Sequence, residues 1–330
     1  MFYTKLEKER VQCSLCPRKC VIPKDKTGFC GVRKNIEGKL FSLVYGKAIA
    51  VHIDPIEKKP LFHFAPGSEC FSFSTVGCNL DCDYCQNWEI SHPSVITGEN
   101  LSPEEIVERV KSMDIPGIAY TYTEPTIFFE YACDTMKLAK KEGLYNVWVS
   151  NGYIQPEAVK KISKYLDAIN VDIKGNKEFY RKVCRVPNPE AILEALKLYK
   201  KLGVFIEVTN LIIPGYNDSE KDIKGMVSWI KNNLGEDTPL HFSRFFPDFR
   251  MRDVPPTPVE TLEKAWRIAH NAGMKWVYIG NVVGHEKENT FCPKCGNLLV
   301  SREGYVTKIV RQRCKCGERL LIKGKKWVNF

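Results

Sequence analysis

Residues 77–88 read GCNLDCDYCQNW, which places Cys78, Cys82 and Cys85 within eight positions. Thiolates ligate metals, and three so close in sequence can grip one inorganic centre. A closed zinc site takes four ligands, so this trio is one short. An iron–sulfur cubane held by three cysteines keeps one iron available for another molecule, and that is the chemistry the trio suggests. The spacing i, i+4, i+7 would also suit three small residues on the buried face of a helix. Gly77, Asn79, Asp81 and Asp83 argue against it, because turn formers between the cysteines favour a loop that can wrap a centre.

Two more cysteine sets follow the same logic. Cys13, Cys16, Cys20 and Cys30 form C-x2-C-x3-C-x9-C, a complete set of four for which zinc is the first expectation and an auxiliary iron–sulfur cluster the second. Cys292 and Cys295 (CPKCG), then Cys314 and Cys316 (CKCG), each pair ahead of a glycine, read as zinc-ribbon knuckles. Tetrahedral zinc is expected there, with a rubredoxin-like iron site as the alternative. Twelve of the fourteen cysteines lie between 13 and 85 or from 292 onward, leaving only Cys133 and Cys184 in between. A disulfide framework would not leave its central fold so bare, so a reducing compartment is expected. No apolar run approaches the roughly 18 residues of a membrane span, and MFYTKLEKERVQC lacks the apolar core of a signal peptide. The chain is expected to be cytoplasmic, without a membrane partner.

These ligands need a scaffold. Short apolar runs at Phe71–Thr75, Gly117–Thr121, Asn146–Ser150, Ala168–Ile173, Val204–Ile213, Leu240–Phe245 and Lys275–Ile279 read as buried strands. They alternate with helical segments beginning near Ser102 and spanning Phe128–Glu142, Pro156–Lys164, Pro189–Leu202, Ser219–Asn232 and Val259–Ala272. Such alternation predicts an α/β fold with a parallel sheet, as a partial or full (β/α) barrel, with an open doubly wound sheet second. The expected division is an N-terminal Cys-rich segment (1–69) with a hairpin in KLFSLVYGKAIAVHI, the barrel (70–283) and a zinc-ribbon-like module (284–330).

Ligands bind at the carboxyl ends of parallel strands, which turns strand ends into site candidates. AYTYTEPT puts Glu124 on a stiff Pro turn, suited to a ligand's ammonium group, with the Thr126 hydroxyl beside it. VSNG offers Ser150 and Asn151 for a ribose or carboxylate, and Trp88 and Asn87 could pack on a base. VDIKG places Asp172 and Lys174 on one side of a strand, either as ligand contacts or as a self-satisfied ion pair. Thr209, Asn210, His241 and Arg244 complete the set of strand-end polar residues.

The loop motif C-x3-C-x2-C after a first strand, with Tyr84 before the last cysteine, resembles the radical S-adenosylmethionine (radical SAM) enzymes. CNLDCDYCQN resembles the branch that includes the pyruvate formate-lyase activating enzyme. The wider string EKKPLFHFAPG…TYTEPTIFFE…SNG…VDIKG…VTNLIIPGYND is similar to the AmmeMemoRadiSam-system proteins. The resemblance implies a barrel of the radical SAM type and a [4Fe–4S] cluster on Cys78, Cys82 and Cys85. It further implies S-adenosylmethionine on the fourth iron, cleaved reductively to a 5′-deoxyadenosyl radical that abstracts hydrogen from a substrate. Glu124 would then stand where the family binds the SAM amino group, and Lys174, oriented by Asp172, would meet the SAM carboxylate. Cys184 could donate hydrogen near the radical, and Arg244 could contact the substrate. Val149 stands where some activating enzymes carry an acidic residue, so no monovalent cation is expected there.

Two metal-stapled appendages suggest a macromolecular substrate, and the resemblance adds an electron donor such as ferredoxin or flavodoxin and partner proteins of the Memo-like and AMMECR-like kinds. A glycyl residue in a partner enzyme competes with RNA, especially tRNA, which the net charge of +10 favours. The reading from another class is a non-catalytic nucleic-acid-binding protein held together by three structural metal sites.

Overall fold

The computed structural model describes residues 2–328. Three short antiparallel strands, β1 (Tyr3–Lys5), β2 (Val11–Cys13) and β3 (Val21–Ile22), carry the first cysteine set, followed by a hairpin of β4 (Arg33–Ile36) and β5 (Lys39–Ser42). The expected hairpin is therefore split. Its first half pairs backward with β4, while β6 (Lys47–Pro55) runs antiparallel to β7 (Glu69–Ser74) in the main sheet. The turn falls earlier because Glu37 and Gly38 both adopt left-handed φ, 48° and 72°, and Asn35 Oδ1 accepts from the Gly38 N–H at 2.9 Å.

The remaining strands of that sheet are β8 (Glu99–Asn100), β9 (Gly117–Tyr120), β10 (Tyr145–Ser150), β11 (Ala168–Asp172), β12 (Phe205–Ile212), β13 (Leu240–Arg244) and β14 (Val277–Gly280). Their order is β14-β13-β12-β11-β10-β9-β7-β6-β8, with β7 and β9 to β14 all parallel. The order has two ends, so the barrel is partial. The helices are α1 (Trp88–Ser91), α2 (Pro103–Ser112), α3 (Phe129–Lys141), α4 (Pro156–Ile162), α5 (Lys177–Val183), α6 (Glu190–Lys201), α7 (Glu220–Asn233) and α8 (Val259–Asn271). The Ser102 cap is a full capping box with Glu105, and Pro103 opens the helix, whose Ile106, Val107 and Val110 are buried. Helix α5, absent from the sequence expectation, starts where the Asn176 side chain accepts from the Phe179 N–H.

The amino end of the barrel is closed by its own chain. Ile56, Leu61 and Phe64 of the strap between β6 and β7 pack against Cys70, Ala119, Tyr145, Val147 and Ala168 on the inner face. The C-terminal sheet of β15 (Thr290–Phe291), β16 (Leu298–Glu303) and β17 (Val306–Ile309) packs with Trp276, Tyr278 and Phe62. This blocks the floor and leaves the carboxyl ends of the strands as the open side. Among the described residues, no helix is long and apolar enough to cross a membrane.

A buried polar network locks the strap in place. The Glu207 carboxylate accepts from the Phe62 and His63 N–H groups at 3.1 and 2.7 Å and meets His241 Nε2 at 2.7 Å. His63 Nδ1 donates to Leu321 O at 2.6 Å, so its Nε2 accepts from the Tyr278 hydroxyl. His241, expected at the mouth with a ligand, thus belongs to the floor. It is the second residue of β13, its Nε2 is taken by Glu207, and its ring lies against Phe62.

Burial holds the His63 imidazole at about 4, below its ordinary 6.5. Between these pH values the unfolded chain takes up a proton that the folded chain refuses. Stability conferred by neutral His63 is therefore complete above pH 6.5 and falls by about 3 kcal/mol on acidification to pH 4. Denaturant unfolding at pH 7 and 4.5 should show the loss, and His63→Gln should shrink it.

Candidate active site

The cluster loop follows β7 and is pinned on both flanks. Gly77 takes φ 101°, and a Cβ there would lie 2.6 Å from Val32 Cγ1 and 2.8 Å from Cys30 O, so glycine is required by both conformation and close approach. Beyond it, the Asp81 and Asp83 N–H groups donate to Cys184 O and Val183 O at 3.2 and 3.0 Å. Arg185 grips the Asp83 carboxylate with two bonds of 2.8 Å, and Arg250 reaches Asp81 at 2.9 Å. The turn-forming aspartates are thus loop anchors, clamped by arginines distant in sequence.

Cys78, Cys82 and Cys85 all belong to this loop, and no three ligand atoms among them and their neighbours crowd within 4.8 Å. They do not close together as the ligands of a single ion would. Desolvation and the nearby Glu124 carboxylate push the Cys78 thiol well up, and burial also raises Cys85. Leu80 N–H points at Cys78 Sγ at 3.4 Å, and Asn151 Nδ2 stands 3.9 Å from it. Three thiolates spread along one loop, with backbone and amide donors aimed at sulfur, suit a cluster larger than one ion. Cys184 is fully buried beneath the loop, its thiol beside that of Cys82 and 3.6 Å from the Tyr84 hydroxyl.

At the end of β9, Glu124 is a hub. Its carboxylate accepts from Thr126 N, Thr126 Oγ1, Ser150 Oγ and Asn151 N at 2.9, 2.6, 2.9 and 2.8 Å. Three of these donors converge on Oε1 and only Asn151 N reaches Oε2, so Oε2 keeps an acceptor site. Glu124 thereby ties the chain after β9 to the end of β10. Ser150 and Asn151 are drawn into the same network, and Asn151 Nδ2 continues it to Asn79 Oδ1 of the cluster loop at 2.9 Å. Gly152 takes φ 71°, with Val171 and Ile192 methyls 2.9 and 3.0 Å from where a Cβ would stand.

Asp172 and Lys174 form an ion pair of 2.8 Å at the end of β11, part-exposed at the carboxylate. Although burial works against its charge, Asp172 and the Cys82 and Cys184 thiols hold Lys174 well above its ordinary value. The Tyr180 hydroxyl clamps the turn, accepting from Lys174 N at 2.9 Å. Thr209 lies in register with Asp172 on β12, and its buried hydroxyl has no partner, which leaves it free for a polar ligand. Asn210, the next residue along β12, donates to Ile173 O at 2.7 Å. Arg244, the last residue of β13, donates from Nε to Thr257 O at 2.8 Å, and its guanidinium lies over the Phe246 ring. Trp88 stacks on Phe249 at 5.2 Å, a protein partner in place of the expected base, and Asn87 donates to Tyr122 O at 2.8 Å.

The C-terminal set converges tightly. All four ligand atoms of Cys292, Cys295, Cys314 and Cys316 lie within 4.8 Å of one another, with Cys295–Cys314 at 3.2 Å and Cys292–Cys316 at 3.6 Å. Gly296 and Gly317, at φ 71° and 90°, close the two knuckles as expected. Four thiolates about 2.3 Å from one ion must stand about 3.8 Å apart, so a single tetrahedral ion fits. Metal analysis should find about one metal ion per chain at this site, lost in Cys314→Ser.

The loop motif, partial barrel and strand-end network define a class. The sequence profile of the Radical SAM superfamily matches residues 72–230. An uncharacterized protein of Methanocaldococcus jannaschii, MJ0808, is 50% identical over 328 residues, covering 97% of this chain and 98% of its own length. The pyruvate formate-lyase-activating enzyme of Clostridium pasteurianum is 24% identical over 193 residues, 54% of this chain and 80% of that one. A radical SAM methyltransferase from Sphaerobacter thermophilus shares the fold at a TM-score of 0.51 and 16% identity, with 70% of each chain covered. The chain belongs to the radical SAM superfamily and is an enzyme of that class, which sets aside the non-catalytic scaffold reading. Enzymes of this class use a [4Fe–4S] cluster and S-adenosylmethionine.

The structure reveals several partners that the sequence reading missed. The Glu124 hub, the Cys184 thiol under Cys82, and the Asp54–Lys59–Tyr122 cluster inside the barrel all depend on contacts across distant segments.

Proposed function

We propose that Cys78, Cys82 and Cys85 hold the [4Fe–4S] cluster and that the enzyme abstracts hydrogen from a macromolecular substrate, with a protein as first choice. Three thiols on one loop at the open end of the barrel, not closed to within 4.8 Å of one another as the C-terminal four are, carry this reading. When bound, the cluster supplies one electron that splits S-adenosylmethionine into methionine and a 5′-deoxyadenosyl radical. The chain's own residues position and protect. Lys174 presents a fixed cation for a carboxylate at the mouth, and Thr209 offers an unpaired hydroxyl one strand away. Glu124, Ser150 and Asn151 hold the backbone turn that borders Cys78. The strap and ribbon keep water from entering through the floor.

Relatives named as activating enzymes support a glycyl residue of a partner protein as the target. Memo-like and AMMECR-like proteins are candidate partners on the sequence resemblance. RNA is the second reading, favoured by the net charge of +10 and by the Lys- and Arg-rich ribbon, for which zinc is the proposed metal. Anaerobic incubation of the full chain with S-adenosylmethionine and dithionite should release 5′-deoxyadenosine. Deuterated partner protein or deuterated RNA then discriminates, because only the true substrate passes label into that product. Steep weakening of binding with added salt would favour RNA.

A further inference from the structure

We infer that Cys13, Cys16, Cys20 and Cys30 hold a second iron–sulfur cluster, and that this cluster is the electron entry to the one on the Cys78 loop. The inference rests on the radical SAM reading above. Internal comparison of spacing decides the metal. The C-terminal thiols close to the short separations of a single tetrahedral ion, whereas no three of the N-terminal ligand atoms fall within 4.8 Å of one another. The N-terminal thiols, like those of the Cys78 loop, do not close to single-ion separations. They line one enclosed hollow together with apolar Leu15, Ile22 and Ile127. Four thiolates on a body of several irons stand wider apart than four on one ion.

A second observation points into the same hollow. Arg33 lines it and is only 3% exposed, and its Nε has no hydrogen-bond partner although both terminal nitrogens engage Glu130. An N–H donor fixed beside thiolates is the partner that the sulfurs of an anionic cluster require.

Position supplies the role. The N-terminal cysteine segment is stapled to the Cys78 loop: Arg18 Nε donates to Asn79 O at 2.6 Å, adjacent to Cys78, and Val32 Cγ1 and Cys30 O leave no room for a side chain at Gly77. Arg18 also lines the hollow beside Cys16 and Cys20, so one side chain spans the N-terminal thiols and the Cys78 loop. On the outside, positions 1–40 hold ten Lys and Arg against four acidic residues, six of the chain's net +10. Lys5, Lys8, Arg10, Lys19, Lys26 and Lys39 are exposed. That face fits a low-potential one-electron carrier protein with an acidic surface. The carrier gives up one electron and is oxidised, the N-terminal cluster takes it and passes it on, and the Cys78 cluster ends reduced by one.

The test uses the full chain, purified anaerobically with clusters reconstituted. The wild type should hold about eight irons per chain, and a variant carrying C78S, C82S and C85S should keep about four, with its own electron paramagnetic resonance signal on reduction. C16S with C30S should keep the other four. That variant should still release 5′-deoxyadenosine with dithionite, yet lose at least tenfold with reduced ferredoxin or flavodoxin, and the wild-type rate with those carriers should fall as salt rises. Zinc instead of iron in the triple variant would overturn the inference, as would equal rates of the C16S/C30S variant with carrier and with dithionite. Failure of the wild type to cleave S-adenosylmethionine at all would instead sink the proposed function, and the iron counts would still decide the N-terminal site.

Discussion

Cys82→Ser should abolish formation of 5′-deoxyadenosine, lowering the rate by far more than about 100-fold. Losing a group that merely supports a metal ligand costs about 10- to 100-fold, so a deeper loss separates a ligand from a neighbour. Cys184→Ser supplies the control. Its thiol lies beside that of Cys82, fully buried, while its backbone carbonyl anchors the loop through Asp81 N–H. Serine keeps the carbonyl and a donor, so this variant should retain its iron and lose no more than about 100-fold. Iron content and product release by the two variants check the contrast.

Glu124→Ala should destabilise the fold by about 3–5 kcal/mol. Four donors converge on that carboxylate at 2.6 to 2.9 Å, and each stranded buried donor costs about 1–3 kcal/mol before water or rearrangement offsets part of it. Glu124→Gln keeps the shape and some acceptance and should lose about half as much. Both variants should weaken S-adenosylmethionine binding, because the Ser150–Asn151 turn borders Cys78. Denaturant unfolding reads the first effect and calorimetric titration the second.

The two predictions also mark what a linear sequence discloses. Local signals were legible: the Ser102 capping box, the Pro starts of helices, the apolar strands and the turn formers around Cys78 all depend on residues a few positions apart. The seven-residue α5 escaped because so short a segment carries little periodicity, and its cap lies in GN. The hairpin was misplaced because Lys47–Pro55 satisfies the same alternation as a strand of the main sheet, where it pairs antiparallel with β7. Residue types at strand ends were equally legible, but their partners were not. Glu124, expected to meet a ligand, also ties Thr126, Ser150 and Asn151 together, and His241 is drawn to the floor by Glu207. Sequence spacing gave no distinction between the two complete cysteine quartets; only the sulfur separations do.

The most direct measurement is the electron paramagnetic resonance spectrum of the reduced, anaerobic full chain before and after adding S-adenosylmethionine. A cluster gripped by Cys78, Cys82 and Cys85, with one iron open, predicts a signal that changes on addition, persists in Cys184→Ser and vanishes in Cys82→Ser. A spectrum indifferent to S-adenosylmethionine in the wild type, and made responsive only by removing Cys184, would contradict the account, because it would mean that a fourth thiolate closes the site.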